Sequence, residues 1–407
     1  MRAAIRAGLA RAGPEVGALC LTILLADVVA GIVAPTFSLY ASGLGVSLAL
    51  LGALTTAGGL AQLVAALPLG ILSDRVGRPG LIVAGLLAFA AALLSFSVAA
   101  GAALLFVGRA LMGLATVATF QLGAAHLGDI TARGRRAVAF GLYATAMGLG
   151  FTIGPVLGSQ LAARAGPRQA YLVGAALASA AAAVAARTLR GGPPGGRRAG
   201  RGPTPRRVGR TLARPDLLLV SFGNLLVGLT FAGAVTTFFP LYGRAVGLSE
   251  ATIGALFAVR ALVSALGRLP NGLISRALGN QAVMLGALGL DAAAMLGVAH
   301  SRTPAALALL LVAEGLAYGA YLVAGQTYVA EHTDAPNRGA AVGLYALAAS
   351  VGGTAGPVAL GLLAARRGLP AVFTATGWAL LAGLACSAVG AVALARSASA
   401  LREAIEP

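Results

Sequence analysis

The chain has 407 residues, 58% of them apolar and only 10% charged, with a net charge of +18. So little polar surface excludes a water-soluble globular protein of this size. All 30 basic residues are arginine, which removes a phosphate-binding loop of the GK[ST] type and any lysine Schiff base from the possible chemistries.

A bilayer core of about 30 Å takes about 20 helical residues, and twelve apolar stretches meet that length. They cover residues 16–40, 48–72, 80–100, 102–126, 137–162 and 169–188, then 217–242, 249–273, 281–300, 304–329, 339–363 and 370–394. The runs are too long, and too uniformly apolar, for outer-membrane strands, which alternate apolar with polar positions. The expected fold is therefore an all-α membrane protein of twelve transmembrane helices. A shift of 202 residues lays the second half over the first: Gly141-Leu142-Tyr143-Ala144 meets Gly343-Leu344-Tyr345-Ala346, and Gly154-Pro155-Val156 meets Gly356-Pro357-Val358. About half of the positions from Ala137 to Pro167 are identical at that offset. The reading is a duplicated domain: a six-helix bundle over 1–188, a linker over 189–214, and a second bundle with a short tail over 215–407.

Before the first helix stand Arg2, Arg6 and Arg11, followed by an apolar run that continues to Tyr40 with no small-residue cleavage site, so the first helix is read as uncleaved. With that end inside, most arginines fall in cytoplasmic segments, including the dense Gly/Pro/Arg stretch from Arg187 to Arg214. This is the positive-inside asymmetry. The charge therefore reports topology, with both termini cytoplasmic in the cell's inner membrane, and no nucleic-acid partner is expected. The linker is either an anionic-lipid contact or a solvated tether. Cys20 and Cys386 are unrelated by the repeat and predict no disulfide. No His or Cys cluster has metal-ligand spacing, and no cofactor is expected.

Ionisable groups deep in a membrane are expensive, and so direct attention to function. Four fall near mid-depth, Asp27, Arg260, Asp291 and Glu314, with Arg109 nearer the outside. Glu314 has no counterpart in the first half, where Met112 occupies its place. Asp27 reads either as a proton-coupling carboxylate, whose proton affinity responds to the approach of Arg109, or as half of a permanent Asp27–Arg109 ion pair. Glu314 reads as a substrate or proton contact, or as a static partner of Arg260. Asp291 reads as a structural partner of Arg260. His126, His300 and His332 fall at helix ends and are read as interfacial polar residues.

Between the second and third helices runs Gly70-Ile71-Leu72-Ser73-Asp74-Arg75-Val76-Gly77-Arg78. It resembles the G-x-L-a-D-r-x-G-r signature of the major facilitator superfamily. Its repeat partner keeps both glycines at Gly272 and Gly279 but has Arg276 for Asp74. Arg109-Ala110-Leu111-Met112-Gly113 is similar to that family's R-x-x-x-G element. Gly150, Gly154, Pro155 and Gly158 resemble the G-x-x-x-G-P-x-x-G element of its antiporters, although Ser159 stands where a further Gly is common. The helix around Asp27 and Pro35 is similar to that of tetracycline-type drug:proton antiporters.

The resemblance implies two rocking six-helix halves. Gly70, Asp74, Arg75, Gly77 and Arg78 would form an inner latch in which Asp74 faces the start of helix 11, the glycines allowing close helix approach. Helices 1, 4, 7 and 10 would line a cavity, so that Asp27, Arg109 and Glu314 share one space and Gln121, Asn224, Tyr318, Tyr321 and Gln326 contact substrate. The function expected is proton-coupled export of small apolar or cationic organic compounds by a monomer in contact with lipid, with no enzymatic activity. The alternatives are a transporter of a metabolite such as a sugar or amino acid, and a non-transporting sensor on the same fold.

Overall fold

The computed structural model describes residues 13–189, 209, 212–334 and 337–403. Those residues form twelve long helices. In chain order they are α1 (Pro14–Gly43), α2 (Leu48–Val76), α3 (Arg78–Ser97), α4 (Ala102–Ile130), α5 (Arg136–Ala165) and α6 (Pro167–Thr188), then α7 (Pro215–Ala245), α8 (Glu250–Leu278), α9 (Asn280–His300), α10 (Pro304–Glu331), α11 (Arg338–Arg367) and α12 (Leu369–Glu403). Each contains a window apolar enough to cross a membrane. Every expected span is met, and most helices run a turn or so beyond it. The basic amino end and most of the linker lie outside the described residues.

Local chemistry sets the helix ends. Pro14, Pro167, Pro215 and Pro304 start α1, α6, α7 and α10, a position where the missing N–H is not needed. The Ser47 and Thr303 hydroxyls cap α2 and α10 by accepting from Leu50 N and Ala306 N, each at 3.3 Å. The tight turns repeat with the sequence: Gly45 and Gly247, Gly77 and Gly279, and Gly166 and Gly368 all have φ between 79° and 91°. Left-handed backbone of this kind is open to Gly at little cost.

Two helices depart from regular α geometry. Val117–Gln121 within α4 and Thr230–Phe238 within α7 are wound as π-helix. Nothing in the apolar pattern announces this, because the chain stays helical and only the hydrogen-bond register changes.

The molecule divides into two compact units, Met1–Arg198 with Thr236–Leu262, and Ala199–Val235 with Val263–Pro407. In the first, α1 lies chiefly against α5 and α6. A Cβ at Gly150 would come within 2.6 Å of Leu24 O, one at Gly154 within 2.7 Å of Gly31 Cα, and one at Gly158 within 2.7 Å of Ile32 Cα. Three glycines on one face thus bring the α5 backbone onto α1, in the small-residue mode of membrane helix packing. An adjoining side of α5 meets α8, where a Cβ on Gly254 would strike Ser159 and lie 2.6 Å from Pro155 O. Ser159, in the place of the missing glycine, is therefore buried against a glycine of its neighbour.

The second unit repeats this joint between α7 and α11. A Cβ on Gly356 would sit 2.9 Å from Leu229, and Gly352 abuts Leu225 O. A tyrosine pins each bundle as well. Tyr143 donates to Phe120 O at 2.7 Å and Tyr345 to Tyr321 O at 3.3 Å, each hydroxyl passing over a glycine, Gly123 or Gly325.

Candidate functional site

Asp27 lies midway along α1 and is 7% exposed. Its Cβ is 2.8 Å from where a Cβ on Gly150 would stand, so the α5 glycine face holds the carboxylate between two closely packed helices. No ion pair joins Asp27 to Arg109 among the described residues. Arg109 points elsewhere: its Cζ lies 4.7 Å from the centre of the Phe37 ring, and its Nη1 reaches Met112 Sδ at 4.0 Å. A guanidinium over a ring face is a favourable arrangement in a dry setting. The rotation of α4 explains it. Gly113 packs onto Gly58 O, and a Cβ on Gly58 would lie 3.0 Å from Arg109 O, so the R-x-x-x-G element seats α4 on α2.

In the second unit Glu314 is 0% exposed and Asp291 2%; Arg260, in the first unit, is 2% exposed. Each of the three has interaction partners, as burial of a charge demands.

The five candidate substrate contacts separate into two kinds. Asn224 and Tyr321 are buried and work between helices: Asn224 Nδ2 donates to Tyr345 O at 2.8 Å and Tyr321 Oη to Val220 O at 2.9 Å. Neutral polar groups in a bilayer commonly bridge helices in this way. Gln121 and Gln326 are exposed, and Tyr318 is half-buried with its ring 5.0 Å from that of Phe231.

At the end of the first bundle where α1 begins, the signature segment forms a charge cluster. Arg78 Nη2 lies 3.3 Å from Asp74, and Nη1 pairs with Asp129 at the end of α4. Asp74 and Arg75 are exposed. The signature glycines play a different part from the one expected. A Cβ on Gly70 or Gly77 would meet nothing within 4 Å, and Gly77 is needed for its φ of 86° in the turn. The same cluster holds a contact that sequence reasoning missed. His126 on α4 is 3% exposed, and its Nε2 lies 3.5 Å from Glu15 Oε1 on α1.

The matching end of the second bundle follows the same plan with other residues. Asn280, at the place of Arg78, donates to Glu331, at the place of Asp129, at 2.8 Å. Tyr328, at the place of His126, donates to Asp216 at 3.4 Å, and Arg214 bonds the same carboxylate at 2.6 and 3.1 Å. The repeat offset, applied to His126, was the available signal.

A cavity of about 360 Å³ opens at the far end of α1, lined by Thr36, Tyr40, Ala162, Arg168, Arg244 and Glu250 among others, with Arg244 and Glu250 at 3.6 Å. None of the candidate coupling residues lines it. Among the described residues no three His, Cys, Asp or Glu side chains converge as metal ligands, and both cysteines are free.

Twelve membrane-length helices in a duplicated pattern, with carboxylates buried in the bundles, define a multi-pass membrane protein of the transporter type. The family model described as Major Facilitator Superfamily matches residues 19–247 and 220–404, and the chain belongs to that family. It is 30% identical over 213 residues to the inner membrane transport protein YajR of Escherichia coli (strain K12), covering 52% of this chain and 46% of that one. It is 31% identical over 175 residues to Multidrug resistance protein 1 of Bacillus subtilis (strain 168), covering 42% of this chain and 45% of that one. The chain thus spans just under half the length of these curated relatives. In fold it is similar to a bacterial homologue of the human lysosomal transporter Spinster, solved inward-facing and occupied, with a TM-score of 0.80, 17% identity, and coverage of 92% of this chain and 96% of that one.

Proposed function

We propose that this protein is a proton-coupled secondary transporter that exports small apolar or cationic organic compounds across the cytoplasmic membrane, with both termini inside. The observation that carries the reading is Asp27, a buried carboxylate held at the α1–α5 joint without an ion-pair partner among the described residues. A carboxylate in such a place has to exchange a proton or bind a cation to repay its burial. Its setting on the glycine face of α5 ties it to a joint whose packing leaves little slack, so a change in its charge bears directly on how α1 and α5 fit. The printed name of the Bacillus relative supports a drug-like substrate. In this account the two six-helix halves rock to give alternating access. Glu314, buried in the second unit, is the second candidate acid, and the cation preference follows from the acids, since Arg109 lies over Phe37.

Everted vesicles or proteoliposomes with an imposed proton gradient test it, using ethidium as the probe. Wild type is expected to accumulate ethidium uphill and to draw protons out as it does so. Asp27→Asn should remove the uphill component at least about tenfold while leaving ethidium exchange without a gradient, since the carboxylate rather than the pathway is lost. Gradient-driven accumulation that survives both Asp27→Asn and Glu314→Gln would overturn the coupling assignment.

A further inference from the structure

We propose that Glu15 and His126 form a second proton-binding site, at the cytoplasmic end of the first bundle, through which internal pH sets the state of the Asp74–Arg78–Asp129 cluster. The assignment of that end to the cytoplasm rests on the orientation proposed above.

The site is built from two helices. Glu15 follows Pro14 in the first turn of α1, and His126 stands one turn before the end of α4. The imidazole is almost entirely enclosed, at 3% exposure, while the Glu15 side chain keeps 29% and so reaches solvent. Nε2 lies 3.5 Å from Glu15 Oε1 but makes no hydrogen bond. A buried imidazole with an unbonded ring nitrogen facing a carboxylate is arranged to take up a proton, which would turn a near approach into a charge-assisted bond.

The groups around it give that proton a consequence. From the α2–α3 turn Arg78 reaches across, donating to Ala125 O beside His126 at 3.5 Å and acting on the imidazole electrostatically. Arg78 is bonded to Asp74 and to Asp129, the latter on the same helix as His126. From α5 Arg136 donates to Gly128 O and Thr131 O, and Tyr143 is committed to Phe120 O. α6 presents apolar residues such as Ala181 and Ala185. With His126 neutral, Arg78 is held by two carboxylates. With His126 charged, a second cation stands beside the guanidinium while Glu15 draws the imidazolium toward α1, and the hold of Arg78 on Asp74 weakens.

The second bundle shows the same scaffold with a tyrosine in place of the buried histidine. There Pro215-Asp216 opens α7 as Pro14-Glu15 opens α1, one residue off the 202-residue register, and the residue matching His126 is Tyr328, bonded to Asp216 as a neutral hydroxyl and stacked on His332 at 3.9 Å. Arg214 secures Asp216 directly. One copy of the contact is therefore made by a neutral hydroxyl, and the other by a histidine, the residue type whose charge changes nearest neutral pH.

The full chain in nanodiscs, with its histidines labelled at the ring nitrogens, tests this without any transport assay. The sequence has three histidines, and His126→Tyr identifies the signal. The imidazole is expected to take up a proton as the pH is lowered through the histidine range, with a midpoint that moves down when Glu15→Gln removes the carboxylate. An imidazole that holds one charge state across that range, or a midpoint indifferent to Glu15→Gln, overturns the proposal. In proteoliposomes at fixed external pH, the dependence of initial ethidium flux on internal pH should flatten in His126→Tyr and in Glu15→Gln. A profile identical to wild type in both overturns it too. Should ethidium not move in wild type, the transport reading fails, while the titration arm still decides the site.

Discussion

Where the first half places Asp27 on α1, the repeat places Leu229 on α7, and where it has Arg109 on α4 the repeat has Leu311 on α10. The second half carries Arg260, Asp291 and Glu314 where the first has Gly58, Phe89 and Met112. Against this exchange of charges, the joints are alike: the α1–α5 and α7–α11 glycine faces, the Tyr143 and Tyr345 bonds, and the paired left-handed turns. The halves share what holds a six-helix bundle together and differ in what a buried site needs. Packing has to be solved twice, whereas one charge in the right place is enough for chemistry.

Substitutions at the shared joints should hurt both halves equally. Gly154→Ala would drive a Cβ to 2.7 Å from Gly31 Cα, and Gly352→Ala would press on Leu225 O. Both partners are backbone and cannot turn aside, so each is expected to lower stability by about 1–3 kcal/mol, read from thermal unfolding in detergent. A large loss for one and none for the other would break the equivalence of the two joints. Asp27→Asn should split function from stability, keeping or raising the unfolding temperature, because a buried ionisable group is removed, while uphill transport disappears. Tyr143→Phe and Tyr345→Phe each delete one interhelical hydrogen bond, worth about 0.6 kcal/mol in a membrane bundle and at most about 1.7, and the two losses should agree within error. The smallest effect is expected for Asn280→Arg, which restores in the second half the charge that Arg78 supplies in the first. At this exposed end the new pair with Glu331 should change stability by less than about 1 kcal/mol.

The helices were legible because a bilayer imposes a length, and the turns because Gly and Pro punctuate it twice at one offset. α1, expected at 16–40, is Pro14–Gly43, and the extra residues are the capped ends that hydropathy does not weigh. The α5 glycines were legible as a face because a spacing of four holds whatever the helix packs against. Rotation was not legible. Whether Arg109 turns toward Asp27 or Phe37 depends on how Gly113 seats α4 on Gly58, a contact between helices far apart in sequence. The same ignorance of facing hid the His126–Glu15 approach and the bonds that Asn224 Nδ2 and Tyr321 Oη make to backbone of neighbouring helices. The π segments of α4 and α7 leave no trace in apolar periodicity at all.

The central claim is that Asp27, whose place in the second half is taken by Leu229, carries the exchanged proton. Its most direct test is proton release from purified, detergent-solubilised protein in weak buffer on addition of ethidium, followed with a pH-indicator dye and with no gradient present. Release from wild type and none from Asp27→Asn is the predicted result; undiminished release from Asp27→Asn would contradict it.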